Sequence, residues 1–386
     1  MVDDWRDITL GDFVALQRGH DLTEPERRIG RVPVMGSAGQ NGFHDTALAK
    51  GPGIVIGRSG ASFGQVHFTK VDFWPHNTGL YVTDFKGNDP LFAFYFLKAI
   101  DFDRFNSGSA QPSLNRNFIY PISIRVPKPA EQRAIAAVLG ALDDKIELNR
   151  RMNATLEAMA RALFQSWFVD FDPVRAKLDG CPPAALDPAI ATLFPEQFEH
   201  AADGVLPTGW ARRRWGDIAT LEYGKSIRDY RESCGKYRVF GTNGPIGFHN
   251  EPLCNSAGIV VGRKGAYRGV HYSPEPFFAI DTAFYLKPTA TLDLKWAYYE
   301  LLRFDINSMD SGSAIPSTSR DDFYGIPVLV PPPEIQAAFG EIVGGWFAKI
   351  FANDKQSRTL ATLRDTLLPK LLSGELSVAE RELSTT

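Results

Sequence analysis

The feature that most constrains this chain is an internal repeat. The segment VPVMGSAGQNGFHD (32–45) returns as YRVFGTNGPIGFHN (237–250), and GIVIGRSGA (53–61) returns as GIVVGRKGA (258–266), both at an offset of 205. One deletion later the offset is 204, and SGSAQPSLNR (107–116) matches SGSAIPSTSR (311–320). Trp5 and Trp210 open the two copies, with Gly11-Asp12 and Gly216-Asp217 in step. A register held over this distance means that one module occurs twice in tandem, so the fold is two copies of one unit.

Each module has two parts. The first, 1–129 and again 205–333, is rich in Gly, aromatics and short β-branched runs such as GIVIG, GIVVG and IPVLV. These runs read as strands between turns. A helical stretch lies inside each (91–100 and 294–304), so the expectation is an α+β domain. Trp5, Trp210 and the aromatics of these inner helices read as core.

The second part is a long helix, 130–168 and 334–374. Pro129 and Pro333 stand at the two starts with Glu131 and Glu334 in the first turn, a good entry signal. In the first copy Ile135, Leu139, Leu142, Ile146, Asn149, Asn153, Leu156, Ala160 and Leu163 alternate at spacings of 4 and 3. In the second, Phe339, Val343, Trp346, Ile350, Asn353, Ser357, Leu360, Arg364 and Leu367 hold the same positions. A period of about 3.5 residues over four heptads argues for a coiled coil. One such helix cannot bury its seam alone, and the matching seam in this chain is the other copy. Asn149 and Asn353 sit at equivalent seam positions, where they either fix register or mark a widened stretch.

The connector at 169–204 carries five prolines and seven acids against two bases. Phe171, Leu193, Phe194 and Phe198 give it packing residues, and a tail at 375–386 closes the chain. Trp167, Phe168 and Phe171 read equally as core or as a partner-facing surface. Net charge is −3, and the globular parts are the only positive segments; 212–238 alone holds eight bases against four acids. That favours an anionic partner for the globular parts. No run of apolar residues reaches the ~18 that a membrane span needs. MVDDWRDITL lacks the profile of a signal peptide, so no membrane association is expected. Cys181, Cys234 and Cys254 form neither a CxxC pair nor a disulfide framework, which points to a reducing, cytoplasmic setting.

Catalytic signatures are missing. Gly224-Lys225-Ser226 supplies the end of a Walker A loop, but Ala219 stands where the first glycine belongs. GRSGASFG (57–64) lacks dinucleotide-loop spacing, and HExxH, GxSxG and an amino-methyltransferase motif are absent. The histidine pairs His44/His249 and His67/His271 recur with the repeat and read as packing residues or polar DNA contacts.

Two variable globular parts each enter a helix through a proline and a glutamine three residues on (Pro129 to Gln132, Pro333 to Gln336). The first helix ends in ALFQSWFVDFDPVRAK (162–177), the second in TLLPKLLSGEL (366–376), and both copies carry a GSAxPS loop. In this order and duplication the chain resembles the specificity (S) subunit of a type I restriction–modification system, over nearly its whole length. The resemblance implies two target recognition domains, each reading one half of a bipartite, asymmetric double-stranded DNA site. The helices would pair antiparallel with pseudo-two-fold symmetry, separate the domains and dock two methyltransferase (M) subunits. Those subunits bring S-adenosylmethionine and methylate adenine N6; restriction (R) subunits add translocation and cleavage with ATP and Mg. The chain itself would be non-catalytic, binding no cofactor or metal. A helix of this length spans roughly 55 Å at about 1.5 Å per residue, enough to hold two readers at half-sites about one DNA turn apart, ~34–36 Å. Two other readings remain: an S-like subunit of another defence methyltransferase, and a structural adaptor that binds protein.

Base edges are read by Arg, Lys, Asn and Gln, and phosphates by bases, hydroxyls and loop amides. The first domain offers Arg18, His20, Asn41, Arg58 and Ser59, and the second Lys225, Arg228, Arg231, Asn243, Arg263, Lys264 and Arg268. Residues shared by both copies, such as Arg58 and Arg263, cannot explain different specificities and suit phosphate positioning or a purely structural turn. The divergent loops 20–31 and 225–236 suit base readout. Ser107, Ser109, Ser113 and Arg116, with Ser311, Ser313, Ser317 and Arg320, sit in the GSAxPS loops. These read as a turn with glycine at positive φ, or as a phosphate or M-subunit contact.

Overall fold

The computed structural model describes residues 5–108, 111–183, 186–201, 204–230, 235–309 and 315–378. Strands and helices are mixed throughout, and the chain divides into two compact units, 1–148 with 356–386, and 149–355.

The sequence repeat is a repeat of topology. In the first unit a four-stranded sheet runs in the order Ala15–Arg18, Gly79–Asp84, Gly53–Gly57, Val66–Thr69. In the second the same order is taken by Ala219–Tyr223, Ala283–Pro288, Gly258–Gly262 and Val270–Ser273. A three-stranded sheet accompanies each. The hairpin Val32–Gly36 with Gly39–His44 pairs in parallel with Trp74–Pro75, and Tyr237–Gly241 with Gly244–His249 pairs in parallel with Phe277–Ala279. Both hairpins break register at the same place, between Pro33 and Met35 and between Val239 and Phe240. A two-stranded sheet closes each module, Trp5–Thr9 with Ser123–Pro127 and Ala211–Arg214 with Pro327–Val330. The runs GIVIG and GIVVG are buried at every residue, as central strands covered on both faces must be.

The inner helices Pro90–Lys98 and Leu294–Leu301 are capped by Asp89 and Asp293, whose carboxylates accept from the second and third amides. These caps tie to the long helices. Gln132 is buried, accepts from the Asp89 amide at 2.9 Å and donates to the carbonyl of Pro127 at 2.9 Å and to Asn88 Oδ1. Gln336 repeats the lock, accepting from the Asp293 amide at 3.1 Å and donating to the Pro331 carbonyl at 2.8 Å. The glutamine three residues after each proline thus fastens a long helix to its own module. Gly340 sits where a Cβ would come within 2.2 Å of the Asp293 carboxylate, so the close approach requires glycine there.

The two long helices run Pro129–Phe168 and Pro333–Ser373. The sequence segments divide the chain at helix ends, but the compact units divide it inside both helices. The first unit holds 129–148 of one and 356–373 of the other; the second holds 149–168 and 333–355. The physical reason is that each module closes its core with both halves. In the first unit Leu371 is buried in the cluster of Ile135, Ala136, Leu139 and Phe92, with Leu367, Leu368 and Leu372 packed against it. Glu131 accepts from the Val378 amide at 3.1 Å, and Asp143 pairs with Arg364 at 2.5 Å, so the helices pass antiparallel. In the second unit Phe339 is fully buried among Phe164, Trp167, Phe168 and Tyr299, at ring separations of 5.2–6.1 Å. Asn153 bonds Asp354 at 2.9 Å, giving the same antiparallel sense.

The seam residues Ile135, Leu142, Ile146, Leu156 and Leu163, with Trp346, Ile350, Leu360 and Leu367, are all buried or half-buried. Asn149 and Asn353 are buried, and the stretch is neither frayed nor solvated. Asn149 donates to the Asn353 carbonyl at 3.3 Å, and the Asn353 amide donates to Asn153 Oδ1 at 2.8 Å. Trp167 and Phe168 are core residues, and Phe171 packs on the same cluster. The connector folds onto the second unit through Val174 and Phe194, with Phe198 packed beside them, but Leu193 points to solvent.

If the end of the second helix closes the first module, Leu371→Ala costs about 2–5 kcal/mol, the range for a buried leucine. Amide hydrogen exchange should then rise across 5–148 and leave 149–355 protected; uniform loss of protection, or none, would contradict this closure.

Candidate nucleic-acid interface

In the first unit three distant stretches of chain meet at one open cleft of about 650 Å³, lined by 17–21, Arg58, 107 and 113–117, with Leu80 and Leu114 as its apolar lining residues. The strand Ala15–Arg18 delivers Arg18 to its rim. At Gly19 the backbone passes so close to the neighbouring chain that a Cβ would lie 2.1 Å from the His76 carbonyl. The Gly19 and His20 amides donate to Gly79 and Pro75 there, at 3.0 and 2.8 Å. Arg58 follows the buried strand Gly53–Gly57, and its Nε donates to the Asn77 carbonyl at 3.3 Å. The GSAxPS loop is pinned beside it by the Leu114 amide on the Arg58 carbonyl and by a bridge between Ser59 and Ser113. Asn106 Oδ1 accepts from the Gly108 and Ser113 amides and holds the loop closed. Gly108 is required by close approach, since its Cβ would meet the Gln111 carbonyl at 1.9 Å. The positive φ expected of it is not found.

Arg116 opens the short helix Arg116–Ile119 and donates to the Leu16 carbonyl at 2.8 Å. Tyr120 completes this contact: its hydroxyl accepts from the Leu16 amide at 2.7 Å and donates to the Leu16 carbonyl at 3.1 Å. Arg18, Arg58 and Arg116 therefore converge on one cleft, with Asp21 the one carboxylate among its lining residues. The Arg18–Asp21 pair is long, at 3.9 Å, and largely exposed, so it holds Arg18 weakly.

The second unit builds the same frame. Gly224 meets the Ile280 carbonyl as Gly19 meets that of His76. Arg263 donates to the Asp281 carbonyl at 2.7 Å, Lys264 bridges Ser317, Arg320 reaches the Leu221 carbonyl at 3.4 Å, and the Leu221 amide donates to the Tyr324 hydroxyl at 3.0 Å. The contents differ. Tyr223 and Phe284 stand at the positions of Arg18 and Leu80, and the guanidiniums of Arg263 and Arg320 lie 4.8 and 5.0 Å from the Tyr223 ring centre. A cationic cleft in one module is a cation–π stack in the other.

Among the remaining candidates, Asn41, Lys225, Arg228, Asn243 and Lys264 are exposed, and His20 and Ser59 are half-buried. Arg231 lies outside the described residues, as do Ser109, Ser311 and Ser313. Arg268 is corrected: it is 4% exposed, donates to the Ile306 and Asn307 carbonyls, and is bonded in turn by the Asn307 side chain. It occupies the repeat position of Phe63, which packs on the first core, so it belongs to the interior. His44 is buried edge-on to Trp74 at 5.0 Å, and His67 bonds the Ser37 carbonyl at 2.9 Å. Burial holds His271 below its ordinary pKa. The residues not anticipated are Tyr120, Tyr324 and Asn106; the signal for the tyrosines was R-x-x-x-Y, which recurs at 116–120 and 320–324. Among the described residues no cluster of His, Cys, Asp or Glu could hold a metal, and no helix is long and apolar enough to cross a membrane.

Comparison with known proteins gives a consistent picture. Residues 2–158 match the model of the type I restriction modification DNA specificity domain. The type I restriction enzyme MjaIX specificity subunit of Methanocaldococcus jannaschii is 28% identical over 71% of this chain and 65% of its own length, just under two thirds. The HindI specificity subunit of Haemophilus influenzae is 26% identical over 69% of this chain and 71% of its own. The crystal structure of a type I S subunit from M. genitalium superposes with a TM-score of 0.64 at 21% identity, covering 95% of this chain and 96% of that one; this likeness is one of fold.

Tyr120→Phe leaves the amide of buried Leu16 without its side-chain partner, while the carbonyl keeps Arg116. The expected cost is about 1–3 kcal/mol, read as a lower denaturation midpoint. An unchanged midpoint would show that the Tyr120 hydroxyl does not hold the cleft frame together.

Proposed function

We propose that this chain, a member of the specificity-subunit family of type I restriction–modification systems, recognises a bipartite, asymmetric site in double-stranded DNA with one module on each half. The observation that carries this reading is the doubled frame around the first module's cleft and the second module's cation–π stack. The same frame of two arginines, a glycine turn and a bridge to the loop serine (Ser59 to Ser113, Lys264 to Ser317) is built twice, and the side chains within it differ. A shared frame with different contents is what two readers of unlike half-sites need.

The division of labour follows from the repeat. Arg58 and Arg263, with Arg116 and Arg320, are common to both copies and each already donates to a backbone carbonyl, so they suit phosphate contacts that set position. Ser59 and Lys264, beside them at equivalent loop positions, join that set. Arg18, His20 and Asn41 in one module, with Lys225, Arg228, Arg231 and Asn243 in the other, differ between copies and suit base edges. The paired helices would carry two M subunits, which use S-adenosylmethionine to methylate adenine N6, and R subunits would add ATP- and Mg-dependent restriction. In this scheme the chain contributes recognition in the cytoplasm and no chemistry of its own.

Mapping methylated adenines in cells with and without the gene tests the reading. Loss of one bipartite motif on deletion is expected, and an unchanged methylome refutes it. Replacing residues 5–129 by another recognition domain should alter one half of that motif only. Purified chain should bind duplex carrying the motif over random duplex at physiological salt; equal binding would favour a protein adaptor instead.

A further inference from the structure

The loop before the first hairpin carries the sequence Arg27-Arg28-Ile29-Gly30-Arg31, and its isoleucine is fully exposed, at 104% of the reference value. Single exposed apolar residues are common and need no explanation. This one differs because its loop is fastened on both sides. Arg27 Nη1 donates to the Asn41 carbonyl at 2.7 Å. Arg28 donates its amide to His44 Nδ1 at 3.1 Å and pairs with Asp45 at 3.0 Å. Gly30 lies so close to the hairpin that a Cβ would meet the His44 carbonyl at 2.2 Å. His44 is itself buried against Trp74. The loop is thus braced to a rigid sheet at the residues before and after Ile29, and the side chain between them is held out in water. Phe43, next to the bracing histidine, is 54% exposed.

A surface that is apolar at one residue and flanked by arginines fits a ligand that is anionic at its edges and apolar at a point. In duplex DNA that point is the C5-methyl of thymine in the major groove. We propose that Ile29 is a specificity-determining residue of the first module and reads a thymine methyl in its half-site. Because the loop is already ordered, little conformational freedom remains to be lost on contact. This inference rests on the DNA-recognition reading above and names a base feature within it.

The test uses the full chain and duplexes carrying its motif, with each thymine of the first module's half-site replaced singly by deoxyuridine. That change removes the methyl and keeps the pairing. At one position the wild type should lose roughly fourfold in affinity, the worth of one buried apolar carbon. Ile29→Ser should bind thymine and uracil duplexes equally, while Ile29→Val, which keeps branched methyls, should retain the discrimination. Both substitutions are on the surface and should leave the melting temperature unchanged. The inference is overturned if no thymine in that half-site is sensitive, or if Ile29→Ser still discriminates. It is also overturned if Ile29→Ser only weakens co-purification with a methyltransferase partner, which would make Ile29 a protein contact. A wild type that prefers its motif but ignores every methyl refutes this inference alone; one with no preference for the motif refutes the reading beneath it.

Discussion

Each module depends on burying one apolar face with the start of its own long helix and the end of the other. Leu371 sits in a cluster of buried residues otherwise drawn from 10–139, and Trp167 and Phe168 sit in one made largely from residues 206–343. Neither α+β module covers its own sheet and inner helix completely. The long helices are therefore lids as well as connections, and their hydrophobic stripe is set by two demands. One is the partner helix, which wants a heptad; the other is the module, which wants large aromatics such as Phe164 and Phe339 at the ends.

Polar residues in that stripe carry the specification. Gln132 and Gln336 lock each helix start to an inner-helix cap, and Asn149, Asn153 and Asn353 bond across the seam in place of apolar contacts. A buried amide that finds its partner in one alignment is unsatisfied in the others, so it fixes register at some expense of stability. The Tyr95 phenol does similar work near the first helix, donating to Asp143 at 2.6 Å while Arg364 holds the same carboxylate; burial first, and that carboxylate second, raise its pKa.

How far this was legible in the sequence follows from which signals are local. The strands GIVIG and GIVVG and the seam of the long helices rest on patterns within a few residues, and the repeat on a match held at one long offset, so all could be read directly. The unit boundaries could not, because nothing local says that 356–373 packs on the first module. Convergence of Arg18, Arg58 and Arg116 was hidden for the same reason, since two strand ends and the start of a short helix meet there only in the fold. Arg268 misled because an arginine in a basic loop resembles a ligand contact. Its repeat partner, Phe63, was the better guide, because that side chain packs on the first core. Tyr120 and Tyr324 were visible as recurrences, yet a hydroxyl that satisfies one strand residue has no signature apart from its geometry.

The interleaving of segments has a consequence for the order in which a ribosome can finish this molecule. The second unit is one uninterrupted stretch, 149–355, and has all its parts as soon as that stretch has emerged. The first unit begins earlier but lacks Leu367, Leu368, Leu371 and Leu372 until the final helix has been made. The apolar face that those leucines cover stays without them through the translation of the whole second module. The half that starts first is completed last, and a cell making this chain must protect that surface for the interval between.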